Sequence, residues 1–150
     1  MKCLNEIQIP GWSIQYEGNI GCTKEEIEEM ESFYGFSFPE AYKELLSEMG
    51  KHAPYAGYLQ GFCYWNYKFI KEYSKKVLAS YNETYGSVSQ YEDSFIIIAM
   101  SDECFILIKN NEGENPPVYV FNSDGPGSEI IKTHDFFTEY VKLLLPGGVS

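Results

Sequence analysis

Chemistry in a new sequence is sought first at its thiols, imidazoles and paired carboxylates. Cys22 stands directly before Thr23, which opens a helical pattern, and a helix N-terminus can lower a thiol pKa. A histidine, His52 or His134, would have to complete such a pair from elsewhere in the chain. Cys104 falls inside an apolar run, where cysteine behaves as a small inert hydrophobe. His134-Asp135 has the letters of a metal-binding dipeptide but no second histidine or carboxylate cluster near it, and Asp135 suits the simpler task of an N-cap. SDGPGS (123–128) is glycine-rich, yet it lacks the lysine and spacing of a phosphate-cradling loop. Glu92-Asp93 and Asp102-Glu103 are adjacent acids of the kind that turns expose to water. No catalytic constellation emerges, and neither a metal nor another cofactor is expected. The protein reads as a non-enzyme.

The charge says more. Eleven basic residues, all lysine, face 22 acidic ones, for a formal net charge of −11. Arginine, the usual reader of phosphates and guanines, is absent, so nucleic acid is not an expected partner. The charge is also uneven. Lys24–Glu48 holds two lysines and eight glutamates, whereas Asn66–Tyr85 holds four lysines and two glutamates. Thirteen tyrosines and ten phenylalanines supply core and recognition surface alike. The opening MKCLNEIQIPGW lacks the apolar stretch of a secretory signal, and no run is long enough to span a membrane. The four scattered cysteines are then read as reduced thiols, and the expected compartment is the cytoplasm.

The elements that would position any site follow from periodicity. Residues before 21 are loop-like, with a short strand possible at Ser13–Tyr16. In TKEEIEEMESFYG, Thr23 and Glu26 form a capping box, Ile27 and Met30 face inward, and Gly35 closes the helix. In FPEAYKELLSEMG, Pro39 suits the first helical position, and Tyr42, Leu45, Leu46 and Met49 form an apolar stripe. Gly50 stands where a left-handed closing residue is wanted. A third helix is expected over 65–82, with Trp65, Phe69, Tyr73 and Val77 as its apolar stripe, widened by Ile70 and Leu78. Strands are expected at Phe95–Ala99, Cys104–Lys109 and Val118–Asn122, with another at Glu129–Lys132, before a last helix capped by Asp135. The order predicts one α+β domain over 1–150, an antiparallel sheet with helices packed against it, preceded by a variable segment at 1–20.

Glu31, Gly35, Phe38-Pro39, Tyr42, Leu46 and Gly50 together resemble the N-terminal signature of the SUKH superfamily. FIIIAMSDECFILI is similar to that family's paired strands, VYVF to the next strand and FFTEYVKLLL to its closing helix. Phe38 replaces a leucine, Met49-Gly50-Lys51 stands where Asn-Gly-Gly is usual, and Cys104 lies where a glycine-aspartate pair is common. The resemblance implies a SUKH-like fold in which Glu31, Gly35, Pro39, Tyr42 and Gly50 serve the architecture. It also implies an immunity protein that binds and neutralises a cognate toxin, often a nuclease or deaminase. Relatives with regulatory roles, including a fungal cell-wall regulator, make a non-catalytic scaffold or ligand-binding module the alternative. Charge then nominates the contact surface: Glu92, Asp93, Asp102, Glu103 and Asp124, with Tyr91 and Tyr119 beside them.

Overall fold

A computed structural model describes residues 20–51, 64–85, 94–101, 104–122 and 129–144. Helices α1 (Lys24–Tyr34), α2 (Glu40–Met49) and α3 (Tyr67–Tyr85) precede strands β1 (Phe95–Ser101), β2 (Cys104–Lys109), β3 (Val118–Asn122) and β4 (Ile131–His134), and α4 (Phe137–Leu144) follows. The strands form one antiparallel sheet in the order β1-β2-β3-β4. The α+β class holds. The expected strand at Ser13–Tyr16 lies outside the described residues.

Alternation along the strands divides the interior in two. Ile96, Ile98, Ile108 and Val118 share a buried cluster with α1, α2 and α4. Phe95, Ile97, Phe105, Leu107 and Phe121 face the other way and meet Ile70, Leu78 and Tyr81 of α3. A register shift between Ile97 and Ala99 interrupts β1 without exposing it, since all five residues from Phe95 to Ala99 are buried. The sheet therefore sits between three helices and one.

The α1 N-terminus forms as its sequence dictates. The Glu26 N–H donates to Thr23 Oγ1 at 3.2 Å, and the Thr23 N–H donates to Glu26 Oε1 at 2.8 Å. At the other end Gly35 is left-handed, with φ 90°, and its N–H donates to the Glu31 carbonyl. Glu31 does more than close that turn: its carboxylate accepts the Phe38 N–H at 2.6 Å. One residue thus ends α1 and holds the backbone just before Pro39, which gives the spacing from Glu31 through Gly35 to Pro39 a physical meaning.

Pro39 is the N-cap of α2 rather than its first helical residue, and its carbonyl accepts from the Tyr42 and Lys43 N–H groups. Proline has no side chain that could cap the helix, so the exposed N–H groups need partners from elsewhere. Glu114, in the β2–β3 connection, supplies them: its carboxylate takes the Glu40 N–H at 3.1 Å and its carbonyl takes the Ala41 N–H at 2.9 Å. The neighbouring Asn115 serves α4, accepting the Thr138 N–H on Oδ1 and donating from Nδ2 to Thr138 Oγ1, both at 3.1 Å. Asp135, expected as that cap, instead pairs with Lys132 at 3.3 Å.

Gly50 departs from its expected role. Its φ of −67° and ψ of −16° are right-handed, open to any residue. Its smallness matters for a different reason. A Cβ there would come within 2.6 Å of Cys22 Sγ and 2.7 Å of the Leu46 carbonyl oxygen. The segment entering α1 runs along the end of α2, with the Cys22 N–H donating to Leu46 O and the Lys51 N–H to Ile20 O, each at 2.8 Å.

The third helix is turned from the expected orientation: Ile70, Leu78 and Val77 of the expected stripe meet the core, but its aromatic members are exposed. Tyr67, Ile70, Ser74, Leu78 and Tyr81 are buried, whereas Trp65 is 68%, Phe69 64% and Tyr73 39% exposed. Both stripes have helical spacing, and the aromatic one is simply the more conspicuous in the sequence. Trp65 itself precedes the helix.

Candidate partner-binding surface

Strand direction sorts the acidic residues nominated from charge. Tyr91, Glu92, Asp93, Asp102, Glu103 and Asp124 lie outside the described residues, but the residues that flank them do not. Ser101, Cys104 and Asn122 form one row across β1, β2 and β3, at one end of the sheet. Segments 102–103 and 123–128 attach there. Ser94, next to Asp93, lies at the far end of β1, where its carbonyl accepts the Asn110 N–H at 3.0 Å. Seven strand residues separate the two ends, about 20 Å at the usual rise.

Tyr119, the nominated residue that is described, belongs to the second end. It is half-buried, and its hydroxyl donates to the Glu112 carboxylate, 2.9 Å from Oε1 and 2.8 Å from Oε2. Lys109 Nζ lies 4.9 Å from the centre of its ring. The hydroxyl is thus engaged within the β2–β3 connection, and the ring edge is what a partner could meet.

A second acidic region lies between α1 and α2, where Glu28, Glu31, Glu40 and Glu44 line an open groove of about 310 Å³. Lys24 sits 4.0 Å from Glu28 and Lys43 3.3 Å from Glu40, so the rim is partly neutralised. Glu26 is tied to Lys51 at 2.6 Å. That hydrogen bond to Lys51, with the Thr23 backbone N–H, holds the Glu26 carboxyl below its ordinary range. Glu29 accepts two phenols, Tyr64 at 2.9 Å and Tyr67 at 3.1 Å, which joins α1 to the start of α3.

The nucleophile candidates gain little from their surroundings. Cys104 is half-buried, and burial pushes its thiol up, away from the reactive thiolate. Cys22 is buried against Gly50, while His52 lies outside the described residues. His134 packs its ring against Tyr140 at 5.8 Å, and its Nδ1 lies 3.0 Å from Thr133 Oγ1. Among the described residues no group of three or more His, Cys, Asp or Glu side chains is placed to hold a metal ion, and no helix is long and apolar enough to cross a membrane.

Comparison with known families matches residues 21–143 to the SMI1 / KNR4 family (SUKH-1). The chain belongs to that family. The match begins at Gly21, beside the close approach of the α1 entry to α2, and ends within α4. It therefore takes in all four strands and the Glu31, Gly35, Pro39, Tyr42 and Gly50 signature. No curated protein matches the chain significantly.

Inside the SUKH-1 domain Glu31, Gly35, Pro39 and Gly50 lie at helix ends, and Tyr42 lies in the core. Tyr42 is 1% exposed, with its ring 5.3 Å from Phe38 and 6.0 Å from Phe137, so it ties α2 to α4. Sequence reasoning missed Glu114 and Asn115, whose helix partners are 74 and 23 residues distant. The one available signal was Pro39, a cap residue unable to cap with its own side chain.

Proposed function

We propose that this SUKH-1 chain is a non-enzymatic binding protein of the immunity type, which neutralises a basic toxin, a nuclease or deaminase, in the cytoplasm. Family membership over residues 21–143 carries the reading. The charge of −11 without arginine supports it, because a toxin cleft built for phosphates is basic and an acidic domain can occupy it. The proposed contacts are Asp102, Glu103 and Asp124, in segments that join the sheet at Ser101, Cys104 and Asn122, and Tyr91, Glu92 and Asp93, in the segment that leads to Ser94, with Tyr119. A partner that touches both ends must span about 20 Å, within the reach of a standard protein interface. Aromatic anchors would supply affinity and the carboxylates encounter rate.

The test uses a toxin encoded beside this gene. Co-expression should rescue growth, and Asp102→Lys with Glu103→Lys should slow association about tenfold or more at low salt while leaving the melting temperature unchanged. Unaltered association at low salt would remove these residues from the interface. A neighbourhood with no toxin gene would favour the regulatory scaffold instead.

A further inference from the structure

We propose that the outer face of α3 is a second binding surface, and that its occupant is an acidic peptide segment of another protein bearing an apolar anchor. Trp65, Phe69 and Tyr73 follow one another at intervals of four; Trp65 is 68% and Phe69 64% exposed, while Tyr73, 39% exposed, also rests its ring 6.1 Å from that of Phe105 in β2. Phe69 and Tyr73 are stacked, with centroids 5.6 Å apart and planes 8° from parallel. Phe69 and Tyr73 make one ridge on the helix, about 6 Å along its axis at the helical rise, and Trp65 stands just before the helix begins. Isolated exposed apolar residues need no explanation, but a contiguous aromatic patch rimmed by polar residues marks an interaction site. The fold does not need these rings outside, since Tyr67, Ile70, Leu78 and Tyr81 already provide the packed face.

Charge selects the occupant. Between Trp65 and Lys76 there are four lysines and one glutamate, a local +3 in a chain of −11. Lys68, Lys75 and Lys76 are exposed on the same helix, Lys68 reaching over the Tyr67 ring at 5.8 Å, and Lys51, paired with Glu26, lies 5.4 Å from the Trp65 ring. At physiological salt a charge is felt over about 8 Å. A narrow peptide laid on α3 therefore senses the lysines, while an anionic bilayer or a nucleic-acid duplex would also meet the acidic bulk. A second copy of this chain would bring a further −11. An acidic peptide with an aromatic or aliphatic anchor fits both features, the rings giving affinity and the lysines steering.

Variants of α3 leave the sheet-end acids unchanged, so either proposal can fail alone. The full chain is used with Trp12→Phe, which leaves Trp65 as the sole indole. Two synthetic 16-residue peptides share Leu and Phe anchors and differ in carrying Glu or Lys at every charged position. The Glu peptide should blue-shift Trp65 emission and bind at least tenfold tighter than the Lys peptide. Phe69→Ser with Tyr73→Ser should weaken it at least tenfold, and Lys68→Glu with Lys76→Glu should reverse the preference, with helical circular dichroism unchanged in each. Equal binding of the two peptides, no binding of the Glu peptide, or indifference to both variant pairs would overturn the proposal. So would stronger binding to phosphatidylserine vesicles or oligo(dT), or self-association in sedimentation that the serine variants abolish.

Discussion

A methyl group at Gly35 would touch nothing within 4 Å but would have to adopt a φ of 90°, whereas one at Gly50 would fit its backbone and collide with Cys22 and Leu46. The two glycines thus end neighbouring helices for different reasons, and substitution separates them. Gly35→Ala should cost about 1–2 kcal/mol from the left-handed backbone. Gly50→Ala should cost about 1–3 kcal/mol from overpacking. Adding Cys22→Ala should recover part of the Gly50 loss and none of the Gly35 loss. Urea unfolding of the single and double variants checks this, and additivity at both sites would refute the steric account of Gly50. Tyr67 gives a pH signature at the same scale. Burial, then its hydrogen bond to Glu29, pushes its phenol up to about 12. The folded state favours the protonated phenol, so this contribution is complete below the ordinary tyrosine value of about 10 and fades as pH rises through about 12. Glu29→Gln should move the phenolate absorbance step at Tyr67 downward, while a step unmoved by that change would discount the hydrogen bond.

Elements hold their places here through caps drawn from far along the chain. Glu114 and Asn115, consecutive residues in the β2–β3 connection, satisfy the N-termini of α2 and α4. That connection therefore clamps two helices on one face of the sheet. Glu114→Ala and Asn115→Ala should each destabilise by about 1 kcal/mol, as lost N-caps do, although Glu114 is a surface residue. A change below about 0.3 kcal/mol in urea unfolding would show that water replaces the caps freely. The α1 cap was legible in advance because Thr23 and Glu26 lie within one turn. Glu114 was not legible, because its partner is set by the packing of a strand connection against a helix.

At the scale of the whole molecule the sheet separates two chemistries. The α1–α2 layer carries two lysines and eight glutamates, while α3, on the other face, is basic and aromatic. Ile70→Ala should cost about 2–5 kcal/mol as a truncation in the core. Phe69→Ala, one residue away, should stay within about 0.5 kcal/mol, as exposed positions do. Comparable losses at both would mean that the outer face is covered. Sequence by itself determined what local rules govern: the capping box at Thr23, the helix end at Gly35, the strands at Cys104–Lys109 and Val118–Asn122, the acidic balance and the SUKH-like signature. The capping box, the helix end and the strands rest on residues within a turn or a strand of one another, and the charge balance and signature are read directly from residue types and spacing. Only the tertiary structure decided which stripe of α3 faces the sheet, because both stripes have helical period and the choice depends on what surface is offered. It likewise decided that Gly50 makes room for Cys22 and that Asp135 pairs with Lys132 rather than capping α4. Those depend on how the chain packs in three dimensions, which spacing along the chain alone does not encode.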